Sequence, residues 1–234
     1  MLSKQASERL QEFVATATEI FMTRGFRRTK MSDVTAAMGL SEGAIYRYFE
    51  SKQALFDTVL RAAAAPDGPV EVEGLPVSTP SPLATFEFIR ECVSERARFE
   101  TLDQALHGAE PILSPREELE GIVRELFDTI SRFRVGVRIV ERSALDLPVM
   151  QSFWFGEIRS KLIERLADYL RNRIERGWLR PVPDPDASAR LILETIVFFA
   201  RHRHRDPFPT PMDEETAEET VIDNVVHAYV LSPA

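Results

Sequence analysis

The chain has 234 residues, 44% hydrophobic and 28% charged, with 29 Lys and Arg against 37 Asp and Glu, a formal net charge of -8. That length buries a real core, and the apolar content excludes a disordered or fibrous chain. The acidic total argues against nucleic acid as a partner, because binding to phosphate is driven by clustered Lys and Arg. A single cysteine, Cys92, rules out a disulfide framework and a multi-thiolate metal site and points to a reducing compartment. The N-terminus lacks a basic stretch followed by an apolar one, and no run of about 18 apolar residues occurs, so neither secretion nor membrane spanning is expected. A cytoplasmic protein follows from these features.

The charge is split along the chain. Residues 1–61 carry nine basic and seven acidic side chains, a net of +2, which leaves the remainder at -10. Between Arg24 and Lys52 six basic residues face only Asp33, Glu42 and Glu50. The local balance therefore reverses what the total implies.

In chain order, Leu10, Phe13, Val14, Ala17, Ile20 and Phe21 recur at the spacing of one helix face, and Gly25 supplies the stop. Thr29 is placed to cap a helix from Lys30 to Met38, which Gly39 ends. Ser41 opens a second short helix, about Glu42 to Phe49. Two short helices joined by a tight turn containing glycine make a helix-turn-helix. Ile45 and Phe49 belong on its inner face with Val34, Met38 and Leu40, which leaves Ala44, Tyr46, Arg47 and Tyr48 outward. Two tyrosines, an arginine and the small Gly43 and Ala44 make a poor solvated face and a good groove-reading one: small residues allow close approach, and Arg47 has the geometry to pair with guanine. Ser51 caps a further helix near whose start Lys52 presents an ammonium beside free backbone N–H groups, a favourable place for phosphate.

These residues resemble the TetR (tetracycline-repressor-like) family of bacterial transcriptional regulators. The likeness lies in G25-F-x-x-T29, D33-V34, G39-L40-S41-x-G43-A44-I45-Y46-R47-Y48-F49 and S51-K52-x-x-L55-F56, over about residues 8 to 60. It implies a homodimer on a two-fold symmetric operator in double-stranded DNA, with residues 43–49 in the major groove and Thr29, Tyr46 and Lys52 near phosphates. The candidate DNA-binding residues are Thr29, Lys30, Ser41, Gly43, Ala44, Tyr46, Arg47, Tyr48 and Lys52. The same resemblance implies a helical C-terminal domain that dimerises and binds a small effector. Thr35 and Met38 stand where the family commonly has alanine, and Tyr48 where histidine is frequent.

Residues 65–82 hold five prolines and two glycines and read as a linker between a head at 1–64 and a body at 83–234. The body is expected to be helical at about 83–106, 115–143, 149–178, 185–203 and 213–231, and nothing alternates with period two, so the chain is all-α. Phe86, Phe127, Phe133, Arg138, Trp154 and Phe155 are candidates for an apolar effector pocket between helices, though each also suits ordinary core. Residues 153–155, Phe-Trp-Phe, cannot all point inward from one α-helix. The last two helices are apolar on more than one side, and Ile192, Ile196, Phe199, Ile222, Val225, Val226 and Tyr229 are the expected dimer interface. His202 and His204 do not share a helix face and are no metal pair. No catalytic or metal motif is present, so no enzyme activity, metal or cofactor is expected. The expected function is a repressor released by a small apolar ligand, the alternative being a DNA-binding regulator whose body serves protein contact or dimerisation only.

Overall fold

The computed structural model describes residues 3–65, 68, 70–81, 83–107 and 113–231. Among them every regular element is helical, and the extended pairing consists of two isolated bridges, Phe49 with Val77 and Leu179 with Val230. The all-α architecture expected from the periodicity is the one observed.

The chain forms two compact units, each assembled from separate stretches: residues Met1–Arg96 with Val135–Trp154, and residues Ala97–Arg134 with Phe155–Ala234. The first holds α1 (Lys4–Arg24), α2 (Met31–Ala37), a 3-10 helix (Glu42–Arg47), α3 (Lys52–Ala64) and α4 (Ala84–Arg96), to which α7 (Arg134–Ala144) and α8 (Pro148–Gln151) return. It thus extends past the 1–64 range expected of a head. Leu10, Phe13, Val14, Ala17 and Phe21 form the buried stripe of α1, and Val34, Ile45, Phe49, Leu55, Phe56 and Val59 are buried in the same unit. The rings of Phe21, Phe26 and Phe56 lie 4.9–6.4 Å apart. Burying each such side chain contributes about 1.5–3 kcal/mol before entropy is counted.

The second unit packs α5 (Glu100–His107), α6 (Pro115–Arg132), α9 (Ser160–Glu175), α10 (Pro185–Ala200) and α11 (Glu214–Tyr229) around one apolar core. Its helix starts are built as helix physics prefers. Ser114 and Glu117 form a capping box on α6, and Asp184 and Asp213 accept from Ala187 N and Thr216 N at the starts of α10 and α11. Inside the core Arg173, only 2% exposed, donates from Nε and Nη2 to both carboxylate oxygens of Glu118 at 2.7 Å and from Nη2 to the Ala105 carbonyl at 3.0 Å.

Three expected helices are interrupted. The one at 83–106 breaks at 97–99, the one at 115–143 breaks at Phe133, and the one at 149–178 contains a π-helix over Ser152–Arg159. Each interruption lies where the chain leaves one unit for the other. The π turn is wider than an α turn, so neighbouring residues are separated by a smaller angle and both Phe153 and Trp154 are buried.

The proline-rich segment 65–82 is more than a linker among its described residues; Pro66, Asp67, Pro69 and Pro82 lie outside them. Val77 donates its N–H to the Tyr48 carbonyl at 2.8 Å and accepts from Glu50 N at 3.0 Å. A bridge one residue long needs no periodicity, and composition alone does not reveal it.

Candidate nucleic-acid interface

The helix-turn-helix is built locally. Asp33 at the third position of α2 accepts from Lys30 N at 2.8 Å, and Gly39 with φ 66 ends that helix. There Gly39 N donates to Ala36 O at 3.1 Å and Leu40 N to Thr35 O at 2.8 Å, a paired closure that a left-handed residue permits. The second helix is a 3-10 helix over Glu42–Arg47, shorter and tighter than the α-helix to Phe49 expected from the sequence. With three residues per turn, Glu42, Ile45 and Tyr48 stack on one side. Ile45 is fully buried, and the Tyr48 ring sits 5.1 Å from that of Phe13. Tyr48, expected to point outward, is therefore half-buried against α1.

The surface that this helix presents consists of Glu42, Gly43, Tyr46 and Arg47, with Ala44 half-buried and Ser41 and Lys30 exposed beside it. Tyr46 is 48% exposed. A side chain built on Gly43 would meet nothing within 4 Å, so the backbone there is open to close approach.

Two expected phosphate residues have inward duties. Thr29 is 1% exposed and its hydroxyl donates to Gly25 O at 2.7 Å, so it neither caps α2 nor offers a side chain to DNA. Lys52 donates to the carbonyls of Phe26 and Thr29, both at 2.9 Å, and its Nζ lies 4.4 Å from the Phe26 ring centroid. Burial pushes its ammonium below the usual lysine range, and Asp33 opposes that shift.

Residues far along the chain complete this unit. Arg138 and Arg142 of α7 donate to the carbonyls of Met22 and Thr23 at the end of α1, and Ser143 Oγ accepts from Phe26 N at 3.0 Å. Asp146 holds the Arg28 guanidinium at 2.7 Å and accepts from Arg27 through its carbonyl at 3.2 Å. Arg24 pairs with Asp33 at 3.3 Å. Gly25 has φ 75, and a Cβ there would lie 2.8 Å from Arg142 O. Nothing in the local sequence signals these long-range partners.

The other candidate sets fare differently. Phe86, Arg138 and Trp154 belong to the first unit, and Phe127, Phe133 and Phe155 to the second. Phe127 is core, Phe86 packs edge-on to Phe153 at 5.6 Å, and Trp154 Nε1 donates to Glu141 at 3.3 Å. Of the expected dimer residues, Ile192, Ile196, Ile222, Val225, Val226 and Tyr229 are buried within the second unit's own core and Phe199 is half-buried. The outward apolar residues of α10 are Leu191, 63% exposed, and Phe198, 45% exposed. Apolarity on both sides of α10 is real, but the interior takes the set with the better helical spacing.

A helix-turn-helix with a short exposed second helix, among described residues whose every regular element is helical, defines a transcriptional regulator that reads duplex DNA. Residues 13–59 match the family described as bacterial regulatory proteins, tetR family. The chain is similar to the HTH-type transcriptional repressor KstR2 of Mycobacterium tuberculosis, 26% identical over 82% of this chain and 79% of the relative. The solved structure of the ketosteroid transcriptional regulator KstR2 of that organism covers 96% of each chain at a TM-score of 0.57 and 22% identity. AibR, solved in complex with isovaleryl coenzyme A and operator DNA, covers 92% of this chain and 97% of its own at a TM-score of 0.50 and 15% identity. At those identities the two structures share this chain's fold. Among the described residues no helix is long and apolar enough to cross a membrane.

Proposed function

We propose that the protein is a dimeric repressor that places Gly43, Tyr46 and Arg47 in the major groove of a two-fold symmetric operator and is released by a small, largely apolar ligand bound in its helical body. The observation that carries the DNA half is the outward display of Tyr46 and Arg47 beside an open glycine, on a helix whose opposite side is anchored by Ile45. Lys30 and Ser41 flank that helix and are assigned to the sugar-phosphate backbone, as is the remaining N–H of Lys52. The dimer is assigned to the outer face of α10, where Leu191 and Phe198 would otherwise stay in water. The effector half draws on the relatives: KstR2 is named a ketosteroid regulator, and AibR is complexed with an acyl coenzyme A. A ligand preferring one conformation of the body shifts the population away from the DNA-competent state by its differential affinity.

Selection of bound fragments from random duplex DNA tests the first half. A motif with two-fold symmetry and half-sites about one helical turn apart, or a multiple of it, is expected; no enrichment overturns the assignment. A thermal-shift screen with sterols, fatty acids and acyl coenzyme A thioesters tests the second, since a ligand of the folded state raises apparent stability. A hit that also lowers operator affinity supports release, and a screen without one favours a body that serves protein contact or dimerisation only.

A further inference from the structure

We infer that the proline-rich strap, residues 70–81, is a working part of the DNA-reading head: it fixes the exit of the reading helix and thereby sets sequence discrimination without touching DNA. The inference rests on the proposed use of Gly43, Tyr46 and Arg47. It adds positioning residues, Val77 and Thr79, that neither composition nor the helix-turn-helix motif contains.

The reading helix needs such a device because it is short. A 3-10 helix of six residues, Glu42–Arg47, closes few internal hydrogen bonds, and poorer geometry makes each one weaker than in an α-helix. Its core anchors are Ile45 and, beyond its end, Phe49, both fully buried. Between the reading helix and α3 lies a turn, residues 48–51, whose backbone groups need partners. The strap supplies them. Tyr48 O accepts from Val77 N at 2.8 Å, and Glu50 N donates to Val77 O at 3.0 Å. Thr79 N donates to Glu50 Oε2 at 2.9 Å, and the Thr79 hydroxyl donates to Ser51 Oγ at 2.8 Å. That same Ser51 oxygen caps α3 by accepting from Ala54 N at 3.2 Å.

Four hydrogen bonds therefore bracket one turn, and Val77 and Thr79 make all of them. The bracket holds residues 48–51, adjacent in sequence to Tyr46 and Arg47, and ties the end of the reading helix to the start of α3. The strap's own charged residues, Glu71 and Glu73, are exposed acids and unsuited to contact with phosphate. A role in positioning fits these features; a DNA-contacting arm does not.

The test compares the full-length protein with Val77→Pro, which removes the N–H given to Tyr48 O, and with Thr79→Val, which keeps the shape and removes the hydroxyl. Affinity is measured for the selected operator and for an unrelated duplex, each across a salt series. For Val77→Pro the expected result is an operator affinity lower by about tenfold, the scale of one misread base pair. Affinity for the unrelated duplex should stay within about twofold and the salt slope unchanged, because no phosphate contact is lost. Thr79→Val is expected to show a smaller loss with the same pattern. Should Val77→Pro fail to fold, Thr79→Val alone decides, and unchanged discrimination there overturns the inference. Equal losses on both duplexes, or none, also overturn it. If the wild-type protein enriches no sequence, the proposed DNA function fails first, and that outcome is read before any variant is made.

Discussion

Under the proposed function Lys52 divides one ammonium between two tasks. Two of its three N–H groups close the α1–α2 loop through the carbonyls of Phe26 and Thr29, which leaves one for phosphate. Lys52→Ala should therefore weaken binding to any duplex about uniformly, flatten the salt dependence and also cost about 1–2 kcal/mol of stability, a charge-assisted pair of bonds discounted for partial exposure. Arg47→Ala, on an exposed helix, should leave the melting temperature unchanged and relax preference at one base position by about 1–3 kcal/mol. Titration with specific and unrelated duplexes, alongside thermal melts, separates the two. The sequence marks both residues as candidates, since clustering of cations and aromatics is visible in one dimension. It does not show that Thr29 and Tyr48 face inward, because a 3-10 helix changes which residues share a side and the Thr29 hydroxyl donates back to Gly25 O. The Glu118–Arg173 pair was hidden for a related reason: Arg173 falls among the cations flanking an apolar stripe, yet is 2% exposed. Glu118→Gln should destabilise the protein by about 3–5 kcal/mol in a denaturant titration, since it leaves a guanidinium buried without its counter-charge.

At the scale of elements, helical period reveals that residues are covered and says nothing of what covers them. The stripe of α6 serves the second unit's core through Leu119, Ile122, Val123 and Leu126. Ile139 and Val140 of α7 are buried in the other unit, so the change of partner at Phe133 leaves the period almost undisturbed. The end of α1 makes the same point through hydrogen bonds. Its last carbonyls are satisfied by Arg138 and Arg142, more than a hundred positions away. Gly25 is required twice there, by its φ of 75 and by the 2.8 Å that a Cβ would leave to Arg142 O. Gly25→Ala should cost at least about 1–2 kcal/mol and move the α1–α2 loop. Amide exchange should report it as lost protection at Phe26, whose N–H is held by Ser143. Unchanged protection there would show that the α7 contact does not fix the loop.

For the whole molecule, the net charge of -8 is the sum of a slightly basic start and a strongly acidic remainder, and only the first suits phosphate. The outer face of α10 gives a whole-molecule prediction. Under the proposed function, replacing Leu191 and Phe198 together with Asp should convert the dimer to monomer in sedimentation and lower operator affinity, because one head then reads one half-site; a dimer that survives moves the interface elsewhere. Removing two exposed apolar side chains leaves the unit's own core intact, so the double variant should stay folded. The division of the chain into two non-contiguous units also bears on synthesis. During translation the helix-turn-helix segment emerges ahead of α7, and the residues that cap α1 and hold its loop, from Arg138 to Asp146, leave the ribosome some 80 residues after α3 is complete. At about 5–20 residues per second the nascent head waits several seconds with its α1 carbonyls uncapped and Arg28 without Asp146, so this unit is finished only when the later α7 segment arrives.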